Sequence, residues 1–338
     1  MRRHRHDREP GPTRTTVTSD VAGDNGGREA AAREHPDTGH GDTRELEHIR
    51  FSGWSAAALP RPSRSTAAEP PSQHLSPEVD PEPLHELLRV VLSASGLDPD
   101  HYRSASMIRR IPACLRALGV QTPEQALDRL RQRPELLACA LDTLLIGVSE
   151  FFRDPGVVAA LAQWLPVIAR QRDRHLRAWS AGCGGGAELY SLAILLDQAG
   201  LLAGSILLGT DCRATAIAEA NRGVFHEREM GKVPAAVRDR YFRPQGEAFR
   251  VVLPAQGRIT WEVRNALGER DEGEWDVILC RNVAIYLKRR SSDHLWTTLV
   301  SCLRPGGLLV VGDAERPAIP DLTLLNRCIY RKSGGSDA

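Results

Sequence analysis

The pattern of apolar and polar positions divides the chain of 338 residues into parts of different character. Residues 1–80 show almost no sustained apolar periodicity and are rich in Arg, His, Asp, Glu, Gly, Thr and Pro, with a Pro- and Ser-rich stretch at 58–73. Such a segment buries too little apolar surface to offset the entropy lost on ordering. We therefore predict a disordered tail and linker over residues 1–80.

The pattern over residues 81–148 is helical. Apolar residues recur at three- and four-residue steps from 84 to 92, which places them on one helical face. Further helices are predicted at 104–118, 123–132 and 134–146. Gly119 is placed to end the second helix and Thr122 to cap the third, whereas Pro112 should kink or interrupt the second. Short helices in this succession predict a small all-α bundle.

From residue 149 onward, short apolar runs alternate with helical patterns. Apolar runs without polar alternation are expected for strands that are covered on both faces of a sheet. The predicted strands are 176–181, 206–210, 277–280 and 308–312, and the predicted helices are 187–198, 214–221 and 290–303. A last strand at 323–332 fits a hairpin return at an antiparallel edge. This order predicts a doubly wound α/β domain with a mostly parallel sheet over 149–332, followed by a flexible C-terminus at 333–338.

Composition excludes several classes of function. The chain has 44 basic and 43 acidic residues, and this balance gives no overall field that would attract nucleic acid. No run approaches the ~18 apolar residues of a membrane span, and no apolar segment of a secretory signal follows the N-terminus. The seven cysteines show no two-residue spacing of a zinc or redox motif, and the tail histidines are irregularly spaced. A reducing cytoplasm, without bound metal, is the simplest interpretation.

A glycine-rich turn follows the first strand of the predicted α/β domain. Gly182, Gly184 and Gly186 alternate there, and glycine lets the backbone approach a ligand closely. Asp211 ends the second strand, where a carboxylate can accept hydrogen bonds from both hydroxyls of a ribose. A turn without ligand and a helix-capping aspartate are the alternatives. Together these features predict a nucleoside cofactor between residues 180 and 211 and leave its identity open.

Five ordered sequence blocks identify the cofactor by resemblance. They are SEFFRDP (149–155), RAWSAGCGGGAELYSLAI (177–194), LLGTDCRATAIAEANRGVF (207–225), WDVILCRNVAIYL (275–287) and LRPGGLLVVGDAE (303–315). Over residues 80–332 the chain resembles the chemotaxis receptor glutamate methyltransferases of the CheR type. The resemblance implies a class I S-adenosylmethionine-dependent methyltransferase domain preceded by the helical bundle. It also implies a protein substrate, the cytoplasmic domain of a chemoreceptor-like protein.

At positions that match the motifs of the family, the resemblance also implies roles for individual residues. It implies that Arg153 and Tyr286 are catalytic, with the planar fork of Arg153 near the cofactor and the incoming carboxylate. The implied cofactor-binding residues are Ser149, Arg153, Gly182, Glu188, Asp211, Asn265, Arg281 and Asn282. The implied reaction is attack of a glutamate carboxylate on a sulfonium methyl group. With a reference pKa of ~4.3 this nucleophile is already ionised at neutral pH and requires no general base.

The chain departs from the family pattern in positions that bear on the donor and on the partner. Ala187 and Leu189 stand where the family has glutamate and proline, and Gly147 stands where it has an asparagine. Loss of that asparagine removes a hydrogen bond of about 1 kcal/mol, so weaker donor binding is expected. The arginine-bearing second helix contains Pro112, and the short segment 245–261 suggests a reduced β-subdomain.

These departures leave two other functions open. One is a carboxyl methyltransferase that acts on another protein or on a small acid. The other is a non-catalytic regulatory module that binds the cofactor.

Overall fold

The structure is a computed structural model that describes residues 16–18, 81–145, 147, 149–172, 175–253, 258–268 and 273–334. Within the predicted tail it describes only Thr16–Thr18 (β1), which pair antiparallel with Arg258–Val263 (β7). The sequence pattern predicted neither of these strands. The rest of the predicted tail, and most of the predicted flexible C-terminus, lie outside the described residues.

The helical bundle follows the sequence pattern closely. Its helices are Pro81–Ala94 (α1), Ser104–Ile108 (α2), Ile111–Leu118 (α3), Pro123–Gln132 (α4) and Leu137–Leu144 (α5), with 3-10 turns at Pro99–His101 and Pro134–Leu136. The predicted second helix is interrupted, as expected, because Pro112 fits only in the first turn of α3. Gly119 ends α3 with a left-handed φ of 67°, and Thr122 Oγ1 accepts a hydrogen bond from Gln125 N at 3.4 Å.

The main sheet contains strands that run in parallel through its centre. Its further strands are Arg177–Ala181 (β2), Ile206–Asp211 (β3), Trp275–Cys280 (β8), Leu303–Val311 (β9), Leu322–Asn326 (β10) and Ile329–Lys332 (β11). The order is β1-β7-β3-β2-β8-β9-β11-β10, and the five neighbouring strands β7, β3, β2, β8 and β9 run parallel to one another. The hairpin β10–β11 returns antiparallel to β9, as predicted. This order confirms the predicted doubly wound fold.

Helices cover both faces of this sheet. They are Pro155–Arg170 (α6), Ala187–Gln198 (α7), Ala214–Arg222 (α8) and Arg289–Cys302 (α10). A further helix, Ala235–Tyr241 (α9), contacts a separate small sheet. Buried residues of α6 and α7 form one hydrophobic cluster with their face of the sheet. The other face shares a second cluster with α10 and with the bundle, including Leu87 of α1 and Trp179 of β2. The bundle therefore packs directly against the main sheet.

A separate antiparallel sheet lies between α8 and β7 in the chain. Its strands, in the order β4-β6-β5, are Val224–His226 (β4), Phe242–Gln245 (β5) and Ala248–Val251 (β6). The sequence predicted this β-subdomain between residues 245 and 261, but only β6 lies wholly within that segment, and β4 and most of β5 come before it. The hairpin β5–β6 turns at Gly246, whose φ is 61°. None of the described helices has both the length and the hydropathy that crossing a membrane requires.

Candidate active site

A cavity of about 260 Å³ opens at the carboxyl ends of β2, β3 and β8. In a doubly wound sheet, ligands bind at this edge, where the strand order reverses. Every residue that the sequence analysis assigned to the site lines this cavity. These residues are Ser149, Arg153, Gly182, Glu188, Asp211, Asn265, Arg281, Asn282 and Tyr286. The fold thus brings together side chains from distant sequence blocks.

Asp211 holds the glycine turn against the tip of β3. Its carboxylate is 6% exposed, and Oδ2 accepts a hydrogen bond from Gly184 N at 2.9 Å. The backbone N–H groups of Gly182 and Cys183 donate to Thr210 O at 2.7 and 2.9 Å. Gly182 has a φ of 76°, and a Cβ atom there would overlap Val283 Cγ2. The turn is therefore fixed on both sides, and only glycine fits at residue 182.

Ser149 and Glu188 meet at the start of α7. The N-cap residue of this helix, Gly186, has no side chain, and Ser149 Oγ instead accepts a hydrogen bond from Ala187 N at 3.1 Å. Glu188 Oε1 accepts from Ser180 Oγ at 3.1 Å, and Glu188 Oε2 lies 3.4 Å from Arg281 Nη1. Burial raises the pKa of Glu188, and the neighbouring Arg281 opposes that rise only in part. Among the described residues Ser149 Oγ acts only as an acceptor, so its hydroxyl proton can be donated to a ligand.

A strained turn presents Arg153 to the cavity. Phe152 and Asp154 both have positive φ values, 50° and 59°, which is uncommon for residues other than glycine. Phe151 anchors the turn in the core, edge-on to Phe225 with ring centroids 4.7 Å apart. Among the described residues, no carboxylate lies within ion-pair distance of the Arg153 guanidinium. An anionic ligand can therefore take that place.

Another part of the cavity wall is the segment that follows β8. Arg281 forms ion pairs with Asp154 and Glu188, while its buried Nε atom has no hydrogen-bond partner among the described residues. Asn282 has a positive φ of 61°. The carbonyl oxygen of Tyr286 accepts a hydrogen bond from Arg103 N at 2.8 Å, so the helical bundle fixes the far end of this wall.

Asn265 lines a further part of the cavity, just after the end of β7. Its Oδ1 atom accepts a hydrogen bond from Leu267 N at 3.0 Å, which closes a tight turn. Its neighbours Ala266 and Leu267 add apolar surface to the cavity. This arrangement gives an apolar slot with one amide, suited to a planar base.

With this geometry established, comparison with known proteins identifies the family. Residues 147–324, which are more than half of the chain, match the model of the CheR methyltransferase SAM-binding domain. The chain belongs to the CheR methyltransferase family. S-adenosylmethionine is therefore the cofactor, as the sequence analysis predicted.

Curated relatives of this CheR-family protein extend the match beyond that domain. One is a chemotaxis protein methyltransferase of Listeria monocytogenes, 29% identical over 249 residues, covering 72% of this chain and 95% of that protein. Another is chemotaxis protein methyltransferase 1 of Pseudomonas aeruginosa, 28% identical over 264 residues, covering 73% and 96%. A third is a probable biofilm formation methyltransferase, WspC, of Pseudomonas putida. It is 29% identical over 231 residues, covering 65% of this chain and 53% of that protein.

The residues of the CheR-family cavity fit S-adenosylmethionine chemically. Asp211 presents a buried carboxylate to the cavity, and the buried Nε of Arg281 has no hydrogen-bond partner among the described residues, so it can donate to a ligand carboxylate. Gly184 lines the cavity, and a Cβ atom there would lie 3.8 Å from Ser149 Cβ, in space that a ligand can use. Which residue contacts which part of the donor remains a prediction.

Several residues of this cavity were missed by the sequence analysis. Tyr102 and Arg110 come from the helical bundle, and Arg213 from the start of α8. The places of Tyr102 and Arg110 depend on how the bundle packs against the sheet. Arg213 lies two residues after Asp211 within the block 207–225, so its nearness to that carboxylate was the signal that could have found it. Burial raises the pKa of the Cys212 thiol to about 12 and that of Cys183 well above its ordinary value. Both thiols therefore stay protonated and serve packing rather than nucleophilic chemistry.

Proposed function

We propose that this CheR-family protein methylates glutamate side-chain carboxylates on the cytoplasmic domain of a chemoreceptor-like protein. The observation that carries the proposal is the Arg153 guanidinium, which has no carboxylate of the described residues within ion-pair distance and is held by a strained turn at the cavity wall. A planar fork of N–H donors matches the two oxygens of a carboxylate. The names of the relatives from Listeria monocytogenes and Pseudomonas aeruginosa support chemotaxis as the setting.

In this reaction the main role of the protein is to position the two reactants. When bound, S-adenosylmethionine supplies a methyl group on a sulfonium, whose bond electrons stay on sulfur as a carboxylate oxygen forms the new C–O bond. The acceptor is ionised at neutral pH, with a reference pKa of ~4.3, so it needs no base. Arg153 binds and orients this carboxylate, and Tyr286 lines the same cavity. Holding the reactants in line supplies most of the acceleration.

The acidic groups of the cavity have their own cationic partners. Glu188 pairs with Arg281 at 3.4 Å, and Asp211 pairs with Arg213 at 3.0 Å. Repulsion of an incoming carboxylate is thereby reduced, while Arg153 is left to bind it. This division of charge favours an anionic acceptor over a neutral or cationic one.

The test is transfer of a labelled methyl group to purified receptor cytoplasmic domains. We expect base-labile label on the receptor, as esters require, and its loss when the receptor's candidate glutamates are replaced by alanine. The matched control is the Arg153→Ala variant with the same receptor. Absence of base-labile label from a broad panel of receptor domains contradicts the proposal.

A second acceptor class is favoured by one feature of the bundle. The arginine-bearing region is split between α2 and α3, and Arg110 from the junction lines the cavity. An arginine there can bind a second carboxylate of a small acid, or of a different protein. The resemblance to a protein named for biofilm formation widens the choice of partner. Methylation of a small dicarboxylate, without any receptor present, supports this candidate over the first.

A further inference from the structure

We infer that Arg213 is a positioning residue of the donor pocket, which ties the Asp211 carboxylate to the helical bundle and occupies the space that Gly147 leaves open. The inference rests on the proposed role of Asp211 as the residue that binds the ribose of the donor. Arg213 was not among the residues that the sequence predicted for the site.

The guanidinium of Arg213 lies between two carboxylates from different parts of the fold. Its Nε atom is 3.0 Å from Asp211 Oδ1, and the backbone N–H of Arg213 donates to the same oxygen at 3.0 Å. Nη1 lies 3.8 Å from Asp142 Oδ1 in α5, an oxygen that also accepts from Thr215 Oγ1 at 2.7 Å. The Arg213 side chain is only 11% exposed. It therefore links the bundle to the tip of β3 within a largely buried network.

Gly147 makes room for this arrangement. A Cβ atom at residue 147 would lie 2.5 Å from Arg213 Nη2, closer than real Cβ atoms approach any neighbour. A side chain at 147 and this position of the guanidinium therefore exclude each other. Displacing Arg213 would break its pairs with Asp211 and Asp142. Although the end of an arginine is normally flexible, this one is held on both sides.

The network fixes how Asp211 faces the cavity. Oδ2 is held by Gly184 N and Oδ1 by Arg213, so both oxygens have defined directions. Each carboxylate oxygen has about two acceptor positions. Oδ1 accepts from the backbone N–H and Nε of Arg213, and Oδ2 accepts from Gly184 N and, at 3.4 Å, from Arg213 Nη2, so a ribose hydroxyl would take the place of this longest contact. The guanidinium also supplies the counter-charge that a buried carboxylate requires. Removing Arg213 should therefore weaken donor binding through Asp211, even though Arg213 need not touch the donor.

Binding of S-adenosylhomocysteine, followed by calorimetry, tests this directly. We expect Arg213→Ala to raise the Kd about tenfold, the size of a lost charge-assisted interaction, and Arg213→Lys to recover part of the loss. Gly147→Ala should raise the Kd roughly threefold to tenfold by displacing the guanidinium. In the Arg213→Ala background, Gly147→Ala should add nothing further, because the clash has gone.

A control at Arg172 separates this role from general destabilisation. Arg172 pairs with the buried Asp276 at 3.1 Å, away from the residues of the cavity. Arg172→Ala should lower the thermal midpoint and leave the Kd unchanged at a temperature where all variants are folded. An unchanged or lower Kd in Arg213→Ala, or additive effects of the Arg213 and Gly147 variants, overturns the inference.

Asp211→Asn distinguishes failure of the inference from failure of the proposed site. If Asp211→Asn weakens binding and Arg213→Ala does not, Arg213 has no positioning role. If Asp211→Asn binds as the unmodified protein does, the ribose assignment itself is wrong.

Discussion

Glu315 Oε2 accepts a hydrogen bond from the backbone N–H of Asn282 at 2.8 Å, and so holds a residue with a φ of 61° in place. The same carboxylate accepts from Ala284 N and from Gly312 N, both at 2.7 Å. At 4% exposure Glu315 is nearly removed from solvent. A buried acid with three backbone donors thus fixes the wall that carries Arg281 and Tyr286.

Glu315→Gln should loosen this wall. The amide has one acceptor oxygen instead of two, and its NH2 group faces N–H donors that it cannot bind. We expect a loss of about 2 kcal/mol in the free energy of unfolding, measured in urea, since hydrogen bonds to charged groups contribute about 1.5–3 kcal/mol. The ratio kcat/KM should fall more than the fraction of folded protein accounts for. Full activity in a destabilised variant would show that the clamp serves stability alone.

Arg153→Lys tests the fork geometry. Lysine keeps the positive charge but lacks the planar fork of N–H donors. The variant should therefore still attract the acceptor carboxylate but no longer fix its orientation. We expect kcat to fall by about a hundredfold, as for a misplaced reactant, with a smaller change in the Kd for S-adenosylhomocysteine. The measurement is initial-rate methyl transfer beside calorimetry. Equal losses in kcat and donor affinity instead place Arg153 on the donor alone.

Local signals explain what the sequence could predict. Gly119 and Thr122 act through their own turns, so the helix ends near them were correct. Likewise Gly182 and Asp211 sit at strand ends, where parallel strands bring them to one edge. By contrast, the pairing of Arg213 with Asp142 depends on the packing of α5 on α8, which no local pattern records.

There are also physical reasons why the sequence pattern did not predict helix α6 and strand β7. Helix α6 contains Pro166, a residue that argues against a continuous helix, and its core-facing side chains stabilise it nonetheless. Strand β7 contains Arg258, Thr260 and Glu262 in alternation with apolar residues, unlike the continuous apolar runs of the central strands. Near a sheet edge, where only β1 lies beyond it, such alternation is tolerated.

Gly182→Ala should impair donor binding more than stability. A left-handed alanine costs about 1 kcal/mol wherever it stands. Gly119, with a φ of 67° and open space around its Cβ position, is the matched control, whereas a Cβ at Gly182 overlaps Val283. Both variants should lower the thermal midpoint, but only Gly182→Ala should raise the Kd for S-adenosylhomocysteine, by about tenfold. Similar Kd values for the two variants contradict this account of the turn.

Glu188 should make the stability of the protein fall as pH rises. Burial raises the pKa of Glu188 above its ordinary value of 4.5. At a pH between 4.5 and the raised pKa, the folded protein therefore keeps a proton on Glu188 that the unfolded chain has released. The contribution of Glu188 to the free energy of unfolding is fully present below pH 4.5 and is lost as the pH rises through the raised pKa. Relative to Glu188→Gln, which cannot titrate, the unmodified protein should lose stability over that window. The measurement is the difference in unfolding free energy between the two proteins from acidic to neutral pH. A difference that grows in favour of the unmodified protein with rising pH would mean that Arg281 outweighs burial and holds Glu188 ionised.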